Sequence, residues 1–128
     1  MAKLYHVDIA RHAAGADAKW VDNLLSHFAV PGVESGRQGS ARRISTHGVQ
    51  HIALTRVLTR DLGLSVGAAV TVAGQLLGSG EVELPVGHWL RLRFDRQTFE
   101  RQIDHLIADG VESVAPARRG RPPSSPVR

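Results

Sequence analysis

The chain contains 128 residues, of which 42% are hydrophobic, so it can bury a sizeable core as one domain with at most an appendage. Cysteine is absent, which excludes disulfides, a thiol nucleophile and cysteine-based metal sites, and a reducing cytoplasm is the expected compartment. No apolar run approaches the roughly 18 residues of a membrane span, and the first residues lack the apolar run of a signal peptide.

The net charge of +4 is unevenly distributed. Residues 35–60 carry five arginines and no acidic residue, and residues 115–128 carry four arginines and no acidic residue. Residues 61–114 have eight acidic against four basic side chains. Because the planar guanidinium group suits phosphate, segregated arginine favours a polyanion partner, although a solvated basic surface would give the same pattern.

The first part of the chain predicts two short helices joined by a tight turn. Val7 to Ala14 has helical apolar spacing and ends at Gly15, which can adopt a positive φ. Asp17 is expected to cap a second helix that runs to about Phe28. The apolar positions of this helix share one sector, and three polar side chains lie opposite them: Lys19, Asn23 and Ser26.

Residues 32–46 are rich in glycine and arginine, which predicts an exposed basic hairpin. Amphipathic patterns then predict a third helix over about 49–62 and a fourth from the cap Ser65 to Leu77.

The spacing changes from helical to alternating after residue 80. Residues 82–86 and 90–94 predict a β-hairpin whose outer charges favour cross-strand pairs over a nucleic-acid surface. Asp95 is expected to cap a last helix to about Asp109. An open strand edge and the apolar stripe of this helix predict a homodimer through residues 81–109. Residues 115–128 lack apolar periodicity, so a disordered basic tail is expected.

Two short helices followed by a basic hairpin are the local pattern of a winged helix-turn-helix. The chain resembles the MerR-type winged helix-turn-helix regulators over residues 4–77. Three motifs carry the resemblance: Gly15-Ala16-Asp17, Gly39-Ser40-Ala41-Arg42-Arg43-Ile44-Ser45 and Leu62-Gly63-Leu64-Ser65. The resemblance implies binding of double-stranded DNA as a homodimer, with the wing on the DNA backbone and the second helix in the major groove.

Residues are assigned to that interface by their match to the family pattern. Arg42 and Arg43 match the wing arginine, Arg37 lies in the same basic hairpin, and Lys19 and Asn23, with Ser26 beside them, match the exposed face of the recognition helix. The chain departs from the family in three ways. The spacings from the wing to Gly63 and within the first helix are each about one residue longer than in the family. Ile44 stands where the family has a tyrosine, and a hairpin with one helix replaces the long coiled coil.

The tail resembles an AT-hook, whose Arg-Gly-Arg-Pro core lies along an A·T minor groove. The residues that carry this resemblance are Arg118, Arg119, Gly120 and Arg121. A chance tetrapeptide in a biased tail is the alternative.

Motifs of the common enzyme classes are missing. The chain contains neither a phosphate-binding P-loop nor a Gly-x-Ser-x-Gly elbow. His47 and His51 have the spacing of metal ligands on a helix, but no third ligand is close in sequence. We therefore expect no enzyme activity, no cofactor and no metal.

The sequence thus predicts a mostly α (α+β) fold in three parts: a winged helix-turn-helix over 1–78, a packing or dimerisation unit over 79–114 and a disordered tail over 115–128. The predicted function is DNA binding, as a bacterial or phage transcriptional regulator or a nucleoid-associated protein in the cytoplasm. A protein-interaction module, such as an antitoxin or a phage-assembly subunit, is the alternative. The sequence indicates neither a target site nor an effector.

Overall fold

A computed structural model describes residues 3–34, 42–84 and 89–113. Helices make up 67% of this described part, together with short antiparallel strands, which confirms the predicted mostly α class. No helix within these residues has the length and apolar character needed to cross a membrane.

The two N-terminal helices form where the sequence predicts them. Helix α1 (Val7–Ala14) ends at Gly15, whose φ of 64° is left-handed. Helix α2 (Ala18–His27) begins after Asp17, because the carboxylate of Asp17 accepts a hydrogen bond of 2.8 Å from the backbone N–H of Trp20. The bounds of both helices agree with the sequence to within a residue.

A three-stranded antiparallel sheet follows the helices, with strand order β1-β3-β2. Strands β2 (Val33–Glu34) and β3 (Arg43–Ser45) pair as the predicted hairpin, and β1 (Leu4–His6) pairs with the other side of β3. Strand β1 was not predicted from the sequence, because three residues are too few to show alternation. Ile44, at the centre of β3, is fully buried.

Helix α3 (Thr46–Leu62) begins three residues earlier than the predicted Val49. Ser45 is its cap, since the hydroxyl of Ser45 accepts a hydrogen bond of 3.1 Å from the backbone N–H of Gly48. Gly48 counts against a helix by propensity, but its Cα faces the backbone of Gly32, where a side chain has no room. Packing therefore overrides propensity at this helix start.

Helix α4 (Val66–Ser79) is capped by Ser65 as predicted and continues two residues beyond Leu77. Strands β4 (Glu81–Glu83) and β5 (Arg91–Arg93) then pair antiparallel, and Arg91 bridges to Glu81 at 3.0 Å, which confirms the cross-strand pairing. Helix α5 (Arg96–Ser113) is longer than predicted by four residues at its C-terminal end.

The core has two parts. The first part joins α1, α2, α3 and β3 to α5, which contributes Ile103 and Ile107. The second part lies between α3, α4 and the β4–β5 hairpin, with Val82 pointing inward. A side-chain hydrogen bond also joins α5 to α1, since Nε2 of His12 lies 2.7 Å from a carboxylate oxygen of Asp109. The last helix thus packs on the first, and the proposed boundary at residue 78 stays a prediction.

Candidate nucleic-acid interface

Helix α2 presents a polar face away from the core. Val21 and Leu24 are buried on its inner side. The outer side carries the three polar residues predicted from sequence, all exposed: Lys19, Asn23 and Ser26. Asp17 fixes the first turn of the helix, so these side chains share one rigid face. Short polar and cationic groups on an exposed helix can donate to the base edges of DNA.

Arg42 lies against this face of α2. Its Nη1 donates to Oδ1 of Asp22 at 3.0 Å, and its Nη2 lies 3.5 Å from the hydroxyl oxygen of Ser26. The structure therefore brings Arg42 together with Asp22 and Ser26 of α2, a contact that the sequence did not predict. Asp22 was not singled out from the sequence, since its partner is 20 residues away in the chain.

Arg43 follows on β3 and is exposed, since the side chain of its neighbour Ile44 points into the core. Its cross-strand neighbours are His6 on β1 and Glu34 on β2. Within the described residues, the Arg43 side chain has no hydrogen bond or ion pair. Arg37 of the predicted hairpin lies outside the described residues.

A groove of about 490 Å³ lies between α1, the first turns of α2 and Arg42. Arg11 of α1 lines it opposite Lys19, and Asp8 and Asp22 contribute carboxylates. Nη1 of Arg11 lies 3.1 Å from Oδ1 of Asp8. Arg11 is a member of this surface that was not predicted, although a basic residue in the last turn of α1 could have suggested it.

Two arginines of the basic stretch 35–60 are used elsewhere. Arg56 of α3 stacks over the ring of Trp20 at 5.0 Å, and Arg60 pairs with Asp61 at 3.0 Å. The hydrogen bond from Arg60 holds the pKa of Asp61 below its ordinary value. Of the described arginines of this stretch, Arg42 and Arg56 contact α2, whereas Arg60 pairs with its neighbour Asp61.

Of the two histidines considered as metal ligands, His51 has a structural role. His51 is buried, and its Nε2–H donates to the carbonyl of Val70 at 3.0 Å, which joins α3 to α4. Burial lowers the pKa of His51. No group of potential metal ligands is found among residues 3–34, 42–84 and 89–113. The predicted tail site, with Arg118, Arg119, Gly120 and Arg121, lies outside the described residues.

Comparison with known proteins adds no relative. No family model matches the chain, and neither a curated protein nor a solved structure matches it.

Proposed function

We propose that the chain is a DNA-binding protein with a winged helix-turn-helix arrangement. In this proposal α1 and α2 form the helix-turn-helix, α2 enters the major groove, and the β2–β3 hairpin is the wing on the flanking backbone. The observation that carries the proposal is the polar face of α2 with the hairpin arginine Arg42 lying against it.

The dimensions of α2 suit this role. Ten residues at about 1.5 Å each give a helix roughly 15 Å long, and a helix with its side chains fits a major groove about 12 Å wide. The apolar side of α2 packs in the core with residues of α1 and α3, so the polar side, with Arg42 on it, faces outward. Arg43 follows Arg42 in the chain and is exposed on β3, where it can contact phosphate.

The proposal extends to a homodimer, a tail that lies in the minor groove and a role in transcription or nucleoid organisation. Dimers of helix-turn-helix proteins place two recognition helices one helical turn of DNA apart, which doubles the contacts.

A protein-interaction module remains the second candidate. Trp89 supports it, because this large side chain is 72% exposed beside a two-stranded sheet whose strands, within the described residues, each pair on one side only. An exposed tryptophan at a sheet edge is typical of a surface that binds protein.

Titration with salt separates the two functions. A labelled duplex selected from genomic fragments is bound by the protein at increasing salt, and the affinity is followed by fluorescence anisotropy. A DNA-binding protein that neutralises several phosphates loses affinity by orders of magnitude, with a slope of about −0.9 per phosphate contact. An interaction module shows little binding and little dependence on salt.

Substitutions then locate the surface. Arg43→Ala should weaken binding of all duplexes by a similar factor and flatten the salt slope by about one contact. Lys19→Ala or Asn23→Ala should reduce discrimination between sites by roughly 1–3 kcal/mol. Arg101→Ala is the matched control, because it removes the same charge from an exposed position on α5. Equal effects of Arg43→Ala and Arg101→Ala would contradict the assigned surface.

A further inference from the structure

We propose that Arg42, held in place by Asp22, reads a guanine base in the major groove. This makes Arg42 a specificity-determining residue. The sequence resemblance had instead assigned the wing arginine to the DNA backbone. The inference rests on the proposed function and assigns a ligand chemistry to one part of that surface.

The position of the guanidinium group is the first argument. Arg42 precedes β3, yet its side chain lies on the outer face of α2, bonded to Asp22 and close to Ser26. Asp22 and Ser26 are four residues apart and therefore lie on the same face of the helix. Asn23 and Lys19 share that face. Arg42 thus lies among the side chains that meet base edges when α2 occupies the groove.

The carboxylate of Asp22 is the second argument. The Asp22 side chain is 65% exposed and that of Arg42 is 30% exposed, so the carboxylate lies on the solvent-facing side of α2. An exposed carboxylate at this place repels phosphate and largely neutralises Arg42, which disfavours a backbone contact. The same carboxylate fixes the orientation of the guanidinium plane, which a directional contact to a base requires.

The count of donors is the third argument. A guanidinium group has five N–H donors, and the contacts to Asp22 and Ser26 occupy two of them. Within residues 3–34, 42–84 and 89–113, the other three donors have no hydrogen-bond partner. Guanine offers two neighbouring acceptors in the major groove, N7 and O6, and a paired arrangement of arginine donors matches them.

Arg43, the next residue in the chain and the first of β3, provides the contrast. It is exposed and makes no ion pair within the described residues, although Glu34 lies opposite it on β2, so its guanidinium group is less firmly held than that of Arg42. One arginine of the neighbouring pair is therefore suited to a base, and the other to phosphate.

The test begins with selection of preferred duplexes from a random library by the unaltered protein. At one position the preferred base should be guanine, and its replacement by adenine should weaken binding roughly 5- to 150-fold, the range of one bidentate base contact. Replacement by 7-deazaguanine, which pairs normally but lacks N7, should weaken binding at the same position.

Protein variants assign the contact to Arg42. With Arg42→Ala the two substituted duplexes should bind as well as the guanine duplex, and with Arg42→Lys, which keeps the charge without the planar fork, most of the preference should also be lost. Arg43→Ala is the control with the same change of charge, and it should keep the full preference. Asp22→Asn should lower the preference for guanine while strengthening binding to unrelated duplexes.

Each contrary outcome has a separate meaning. If Arg42→Ala lowers the affinity for every duplex equally and the 7-deazaguanine penalty persists, Arg42 is a backbone contact and the inference is wrong, while the proposed function stands. Binding of duplexes without any sequence preference would likewise overturn the inference and leave DNA binding in place. If the unaltered protein binds no duplex, both the inference and the proposed function are overturned.

Discussion

The backbones of Gly32 and Gly48 lie in close contact where the hairpin meets α3. Replacement of Gly32 by alanine tests how much this close approach contributes to the stability of the protein. The backbone N–H of Ser45 donates to the carbonyl of Gly32 at 2.8 Å. A Cβ at Gly32 would lie 2.5 Å from the backbone nitrogen of Gly48 and 2.6 Å from the hydroxyl oxygen of Ser45. Neither atom can move without displacing the first turn of α3, because Ser45 is its cap.

Two terms contribute to the expected loss of stability. Gly32 has a φ of 90°. A residue with a Cβ is destabilised by roughly 1–2 kcal/mol in a left-handed backbone conformation. The lower entropy of the unfolded chain with alanine offsets about 0.4–1 kcal/mol of this cost. The close contact adds about 1–3 kcal/mol, as for an overpacked core. We therefore expect Gly32→Ala to lower the free energy of unfolding by about 1–5 kcal/mol.

Gly63→Ala is the matched control. Gly63 also has a positive φ, of 73°, but a Cβ there would meet no atom within 4 Å, so only the backbone term applies. Urea unfolding followed by circular dichroism gives both free energies, provided that the m values agree. If Gly32→Ala and Gly63→Ala cost the same, the close approach tolerates a side chain and the steric argument is refuted.

Three further predictions concern pH, assembly and the tail. Burial lowers the pKa of His51 below its ordinary 6.5, so the unfolded chain binds this proton more readily. The free energy of unfolding should then fall as the pH drops below about 6.5, by at most about 1.4 kcal/mol per pH unit, and His51→Gln but not His47→Gln should flatten this dependence in denaturation curves. The protein should have twice the chain mass by light scattering at tens of micromolar, and Trp89→Lys should yield monomer; a monomeric unaltered protein would reject the predicted dimer. Removal of residues 115–128 should lower DNA affinity most on A·T-rich flanks without changing the preferred site, and Gly120→Leu should abolish the A·T preference at unchanged charge. Equal affinity of full-length and truncated protein would exclude the tail from DNA binding.

Local chemistry explains which elements were predictable. Asp17, Ser65 and Asp95 each bond to a backbone N–H in the first turn of a helix, and Gly15 ends α1 with a positive φ, so the sequence states these boundaries directly. The polar face of α2 was equally readable, because helical periodicity determines which residues share a side.

Long-range contacts explain what the sequence did not show. Helix α3 starts at the cap Ser45, but its first turn contains Gly48, which is favoured there by close approach to Gly32, a contact that no local pattern encodes. The ion pair of Arg42 with Asp22 likewise depends on how the hairpin folds over α2. A count of charges along the chain therefore identified the basic stretch but not the acid that orients one of its arginines.

The packing of the last helix, α5, on the first helix, α1, determines when the core can be completed during synthesis. A Cβ added to Gly110 would lie 3.1 Å from the ring of His12. The ring on α1 therefore packs closely against the backbone of α5 at this glycine. A nascent chain that has emerged only as far as α4 has already made both proposed DNA-contacting elements, yet one side of α1 still lacks Ile103 and Ile107. Its apolar surface stays open to water, and to other chains, until about 30 more residues are synthesised. The core around the N-terminal helices is therefore completed only after the last helix has been synthesised.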